Sequence, residues 1–144
     1  MKVPDANLLL YALDEGSHRH DAARTWLEGV LSGQEDVGFA WVVLLAVLRL
    51  ATRAAIFERP MSTDEAFGVV EGWLRQPCAM VLQPTPRHAG VLRGLLAPLG
   101  AGGNLVNDAH LAALALEHGG VVCSCDSDFA RFTGVAWMDP LAAR

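Results

Sequence analysis

The sequence is poor in the features that would put a chain in a membrane, in a disulfide scaffold or on a zinc ion. No apolar run approaches the roughly 18 uncharged residues of a membrane-crossing helix. The longest, Trp41–Leu48, is cut off by Arg49 and Arg53. The N-terminus has one lysine followed by Asp5, which is not a signal peptide. Cysteines number 3. Cys123 and Cys125 lie on or beside a short strand, which fits a reducing cytoplasm better than a disulfide framework. No Cys/His set has zinc-ligand spacing. Positive charge is also scarce: 11 Lys and Arg stand against 16 Asp and Glu, a net charge of −5. The overall field does not attract nucleic acid, so any such role rests on a local site. There is no internal repeat, no low-complexity tract and no linker.

What remains is 144 residues at 52% hydrophobic, enough for one domain over residues 1–144 with a proper core. Its centre is the stretch Gly102-Gly103-Asn104-Leu105-Val106-Asn107-Asp108-Ala109-His110. This reads as a glycine loop entering a helix that runs to His118, with Asn104 or Asn107 as N-cap. Gly119 ends that helix in the left-handed conformation. Val121–Cys123 then forms a buried strand, followed at once by Asp126 and Asp128.

Before this stretch the pattern alternates. Strands are expected at Met1–Pro4, Val37–Ala40 and Ala79–Leu82, and a last one at Val135–Met138. Helices are expected at Ala6–Leu13, from Ser17 or His18 to Leu31, and at Trp41–Ala55, the last apolar on nearly all sides and therefore buried. Two more follow at Thr63–Arg75, behind a Ser62/Glu65 capping box, and at Pro86–Leu99. The alternation predicts an α/β fold with a parallel five-stranded sheet flanked by helices on both faces. The four tryptophans, Trp26, Trp41, Trp73 and Trp137, fall on apolar faces and read as core, not as a base-stacking platform.

Asp5 and Asp126 each follow the C-terminal end of a predicted strand, and Asp108 lies at a helix start. In an open parallel sheet these positions share one edge, where ligands bind. Carboxylates gathered there repel one another unless a cation sits among them, and hard oxygen ligands select Mg²⁺ or Mn²⁺. Such a cation activates water for phosphodiester hydrolysis. Singly, Asp5 and Asp108 are more often plain helix caps, and Asp126-Ser127-Asp128 a turn ahead of a short helix. His18, His20 and His110 read as surface or loop histidines. The joint placement of the acids is what points to chemistry.

Three segments carry a resemblance: Val3-Pro4-Asp5-Ala6-Asn7-Leu8-Leu9-Leu10-Tyr11-Ala12, Asn107-Asp108-Ala109-His110-Leu111-Ala112-Ala113-Leu114-Ala115, and Val122-Cys123-Ser124-Cys125-Asp126-Ser127-Asp128-Phe129. Together they resemble a PIN-domain ribonuclease, specifically a VapC-type toxin of bacterial toxin–antitoxin pairs, over nearly the whole chain. The resemblance implies catalytic Asp5, Asp108 and Asp126, a Mg²⁺ or Mn²⁺ ion held by them with Asp128, and cleavage of single-stranded regions of tRNA or rRNA. It also implies a homodimer and a VapB-like antitoxin that blocks the site. Asn7, Arg49 and Thr52 are the candidate substrate contacts.

One departure stands out. The family commonly has a glutamate on the helix after the second strand, whereas that helix here has Ala46 near the expected place and no acid at all. Metal affinity is the property this puts in question, and a catalytically weakened PIN-like binding or scaffold module is the alternative function. Arg49, on a helix expected to be buried, is assigned a structural salt bridge ahead of an RNA contact. A phosphatase-like hydrolase with Asp5 as nucleophile is a weaker third reading, because such enzymes want a second aspartate where Asn7 stands.

Overall fold

The computed structural model of the protein describes residues 1–100 and 102–143. Five short strands form one parallel sheet: β1 (Lys2–Pro4), β2 (Val37–Phe39), β3 (Ala79–Val81), β4 (Val121–Cys123) and β5 (Trp137–Met138), in the order β3-β2-β1-β4-β5. Between β1 and β2 run α1 (Ala6–Leu13) and α2 (His20–Leu31), and between β2 and β3 run α3 (Trp41–Ala51) and α4 (Thr63–Leu74). From β3 to β4 the chain passes through α5 (His88–Leu96) and α6 (Val106–His118). The first two crossovers step one way across the sheet and the third steps back past β1. Right-handed crossovers therefore lay helices on both faces.

The sheet reverses direction at β1, which pairs with β2 on one side and with β4 on the other through Val3↔Val122 and Pro4↔Cys123. Pro4, with no amide hydrogen, occupies the last position of this central strand, and the ladder resumes when the Asp5 amide donates to the Cys123 carbonyl at 2.9 Å. Beneath, Val3, Val37, Phe39 and Val122 from the strands pack with Leu44, Val47 and Leu111–Ala115 from the helices, all buried.

Several element boundaries differ from expectation for local reasons. The Ser62/Glu65 capping box forms in both directions, and Gly119 closes α6 at φ 71°. Gly120, next to it, is required by a close approach: a Cβ there would stand 2.7 Å from Val3 Cγ2. Neither Asn104 nor Asn107 caps α6. A 3₁₀ turn, Gly103–Leu105, leads straight into the helix, so the first amides find i→i+3 partners and no side-chain cap forms. α5 starts two residues after Pro86, at His88, and α3 ends at Ala51, four residues early.

α3 is also less buried than its composition implies. Val43, Leu44 and Val47 are in the core, but Trp41 is 43% exposed, Leu45 58% exposed, and Arg49 is on the surface. Trp73 is buried and stacks on Phe39 with centroids 6.1 Å apart, and Trp26 and Trp137 are partly buried, so Trp41 is the one tryptophan outside the core. The all-apolar pattern of Trp41–Leu48 concealed which side faces water, because periodicity locates a buried stripe only when polar residues mark the opposite one.

α6 is fastened at its far end by polar contacts. The buried Glu117 carboxylate accepts from the Thr85 amide at 2.9 Å and from the Thr85 hydroxyl, and meets His88 Nδ1 at 2.5 Å. His88 Nε2 in turn meets His110 Nδ1 at 2.8 Å. His110 is thus a partly buried helix residue tied to α5 and not a loop histidine. Burial alone would raise the Glu117 carboxyl, and the bonds from Thr85 and His88 bring it below its ordinary value.

Candidate metal and catalytic centre

The acids converge where the strand order reverses, between the C-terminal ends of β1 and β4, the place at which open α/β sheets bind ligands. Asp5 is the N-cap of α1, one residue beyond β1. Asp126 caps the 3₁₀ turn Ser127–Arg131, three residues beyond β4. Asp108 lies in the first turn of α6. Asp5 and Asp126 thus stand where chain geometry favours a short polar side chain, and each cap leaves carboxylate lone pairs for other work, whereas Asp108 caps nothing.

Ser124 organises the centre. Among the described residues it is the one polar residue buried as a whole, backbone included. Its hydroxyl donates to Asp5 Oδ2 at 2.8 Å and accepts from Asn7 Nδ2 at 3.0 Å and from the Asp126 amide at 3.0 Å. One donor and two lone pairs are all a hydroxyl has, so this group is completely used. Asn7 also accepts from the Cys125 amide at 3.4 Å, and the Ser124 carbonyl accepts from Trp137 Nε1 at 3.0 Å. Asp5, Asn7 and the start of the β4 loop are thereby locked into one arrangement. Ser124 stands inside the third segment quoted above, yet nothing in its sequence context distinguished it from an ordinary turn serine.

Asp108, Asp126 and Asp128 each offer one carboxylate oxygen, all within 4.8 Å of one another. That donor set of oxygens suits a hard divalent cation. Asp128 is a full member of this group, although its carboxylate also lies 3.9 Å from Arg131 Nη1. Asp5 stands beside the trio, with Oδ1 accepting from the Ala6 amide at 2.7 Å and Oδ2 from Ser124.

The electrostatics record the crowding. Burial first, then the charges of Asp5, Asp126 and Asp128, push the Asp108 carboxyl up to about 6 from an ordinary 3.8. Asp5 is also raised, by burial and by Asp126, with the bonds from Ser124 and Ala6 opposing. Acids that resist losing their protons together are what a resident cation would relieve. Cys123 and Cys125 are pushed up to about 11, chiefly by burial, and remain thiols.

A cavity of about 130 Å³ opens beside the cluster, lined by Asp5, Ala6, Val42, Val43, Ala46, Asn107, Asp108 and Leu111. Ala46 thus faces Asp5 and Asp108 across the gap where the family's glutamate is expected. Two larger hollows of about 500 Å³ lie elsewhere, and neither touches the acids. Here the position of charged groups identifies the chemistry better than volume does.

Arg49 and Thr52 are not at this centre. Arg49 is exposed and has no ion-pair partner among the described residues, so the expected structural salt bridge is absent. The Thr52 hydroxyl donates back to its own helix, to the Leu48 carbonyl at 2.8 Å. A serine or threonine at a helix end does this when no outside acceptor is closer.

Comparison with known proteins adds relatives. The PIN domain family matches residues 2–135. Ribonuclease VapC37 of Mycobacterium tuberculosis is 52% identical over 142 residues, covering 99% of this chain and 99% of the relative. Ribonuclease VapC33 of the same species is 39% identical over 141 residues, covering 98% and 99%. Among solved structures, VapBC2 from Rickettsia felis bound to a promoter DNA fragment aligns with a TM-score of 0.69 at 14% identity, over 95% of this chain and 96% of that one. VapBC-1 from nontypeable Haemophilus influenzae aligns with a TM-score of 0.69 at 18% identity, over 98% of each chain. At such identities the two structures speak for the fold.

Proposed function

The chain belongs to the PIN-domain family and, within it, to the VapC ribonucleases, and we propose that it is a metal-dependent endoribonuclease toxin restrained by a VapB-like antitoxin. Its substrate in this reading is a single-stranded region of RNA, in tRNA or rRNA. The observation that carries the proposal is the gathering of Asp108, Asp126 and Asp128 at the sheet's reversal point, with Asp5 beside them.

Asp108, Asp126 and Asp128 would hold Mg²⁺ or Mn²⁺, with Asp5 completing the acidic wall. The ion, when bound, supplies charge to polarise a phosphate and to acidify a water molecule. The chain's own residues do the rest. Ser124 and Asn7 keep Asp5 and the β4 loop from relaxing away from one another as negative charge accumulates. Asp5, whose carboxyl sits above its ordinary value, is placed to take a proton from attacking water on the cavity side. Arg49 offers an unpaired cation on the α3 surface for RNA phosphate, and Thr52 is left with a helix-end role.

The cation also resolves the charge problem, since a chain at −5 meets a polyanion with an acid cluster in front. For the antitoxin, the hollow of about 500 Å³ between α1, α2 and α4 is lined by Leu13, Leu27, Leu31, Val69 and Trp73, a shape that suits an amphipathic helix. Mean hydropathy of +0.28 and exposed Phe67 and Leu116 support a homodimer. The weakened-module alternative draws on Ala46 in the glutamate's place and on the net charge of −5.

The test is cleavage of single-stranded RNA by the purified chain, with Mn²⁺ or Mg²⁺ and then with chelator, for the wild type and for Asp5→Asn, Asp108→Asn and Asp126→Asn. The proposal expects metal-dependent cleavage lost in each variant while circular dichroism stays unchanged, because asparagine keeps the caps made by Asp5 and Asp126, Asp108 caps nothing, and no amide holds the cation. Undiminished, chelator-resistant cleavage by all the variants overturns it, and no cleavage by wild type selects the binding module.

A further inference from the structure

We propose that Trp41 is a stacking platform for an unpaired base of the RNA, which makes it a determinant of which nucleotide lies next to the acid cluster. The inference rests on the ribonuclease reading above. Trp41 is the first residue of α3, at the sheet edge that carries the acids, and it immediately precedes Val42 and Val43, which line the cavity with Asp5 and Asp108. Its indole is 43% exposed, whereas Trp73 is buried and Trp26 and Trp137 are partly buried. No hydrogen bond or ring contact engages it among the described residues.

A large aromatic ring left in water on the helix that lines the acid cavity offers a flat apolar face for stacking. Along the same exposed stripe of α3, at positions i, i+4 and i+8, follow Leu45 and Arg49. The stripe thus runs from an aromatic ring through an apolar shelf to an unpaired guanidinium. That order suits a base followed by backbone phosphate, since single strands are held by aromatic stacking and by cations that track the phosphates. A second protein copy suits it less. The exposed parts of Trp41 and Leu45 together offer on the order of 200 Å², against the roughly 800 Å² per partner of a stable interface.

The experiment pairs binding with kinetics, on Trp41→Ala and Trp41→Phe. Binding is read by tryptophan fluorescence without divalent cation, adding oligoadenylate or oligouridylate of roughly twelve nucleotides. Wild-type fluorescence should be quenched, more strongly by the purine strand, and Trp41→Phe should lose most of that quench while still binding. In metal-dependent cleavage, Trp41→Ala should raise KM about tenfold with kcat within about twofold, and Trp41→Phe should recover most of the loss. Quenching in a wild type that cleaves nothing would leave this inference standing and remove the ribonuclease reading. An unchanged KM and quench in Trp41→Ala, a fall in kcat alone, or a change of sedimentation coefficient in Trp41→Ala would each overturn it, the last by marking the stripe as a protein interface.

Discussion

Asp108 should make the metal-free protein more stable in acid than in base. Burial, then Asp5, Asp126 and Asp128, raise its carboxyl from 3.8 to about 6, so the folded chain holds a proton that the unfolded chain has already lost. The stabilisation is complete below 3.8 and disappears as pH rises through about 6. The interval from 3.8 to about 6 corresponds to an upper limit of about 3 kcal/mol. Asp108 is partly solvated, so screening reduces this to about 1–2 kcal/mol.

With an unfolding entropy of about 2.1 cal/mol/K per residue, a chain of 144 residues loses roughly 0.3 kcal/mol per degree near its midpoint. At pH 8 in chelator, Asp108→Asn should therefore melt about 3–7 °C above wild type. At pH 5 the gap should shrink, because wild-type Asp108 is by then mostly neutral. His110, pushed below its ordinary value by burial and by His88, has the opposite sign. The informative quantity is thus the difference between variant and wild type across pH, from calorimetric melts. Saturating Mn²⁺ at pH 8 should reverse the order, since only the full acid set gains the binding free energy. A variant no more stable than wild type at pH 8 in chelator would refute the reasoning, because it would mean the cluster is not strained.

Three further outcomes follow from the same geometry. Ser124→Ala should destabilise the fold by about 2–3 kcal/mol in chemical denaturation and lower RNA cleavage, because it leaves Asp5, Asn7 and the Asp126 amide each short of a partner; a neutral result would remove Ser124 from the centre. Asp128→Asn should weaken Mn²⁺ binding about tenfold by calorimetry, about 1.4 kcal/mol, since Asp128 is one of the three grouped oxygens; unchanged affinity would reduce it to a turn residue. Ala46→Glu, aimed into the cavity shared with Asp5 and Asp108, should raise Mn²⁺ affinity on the order of tenfold while lowering metal-free stability; weaker Mn²⁺ binding would mean that the added carboxylate misses the ion.

Much was determined by the order of residues alone. The alternation of strand and helix, the Ser62 box and the Gly119 stop are local events, governed by side-chain periodicity and backbone preference within a few positions, and each is legible without knowing the rest of the chain. The acids belong here too: Asp5, Asp108 and Asp126 follow strand ends or open helices, and a parallel sheet sends all such positions to one edge. The resemblance of three segments to PIN-domain ribonucleases is likewise carried by the sequence itself.

Tertiary structure decided what depends on neighbours distant in sequence. Ser124 became the hub only because β1 and β4 pair in a register that brings Asp5, Asn7 and the Asp126 amide onto one hydroxyl. Asp128 joined Asp108 because a 3₁₀ turn carries it back toward α6, and His110 met His88 because α5 packs on α6. α3 departs from its sequence pattern for the same reason. Its sequence is apolar on nearly all sides, and which side meets water was settled by the core it packs into, which covered Val43, Leu44 and Val47 and left Trp41, Leu45 and Arg49 outside.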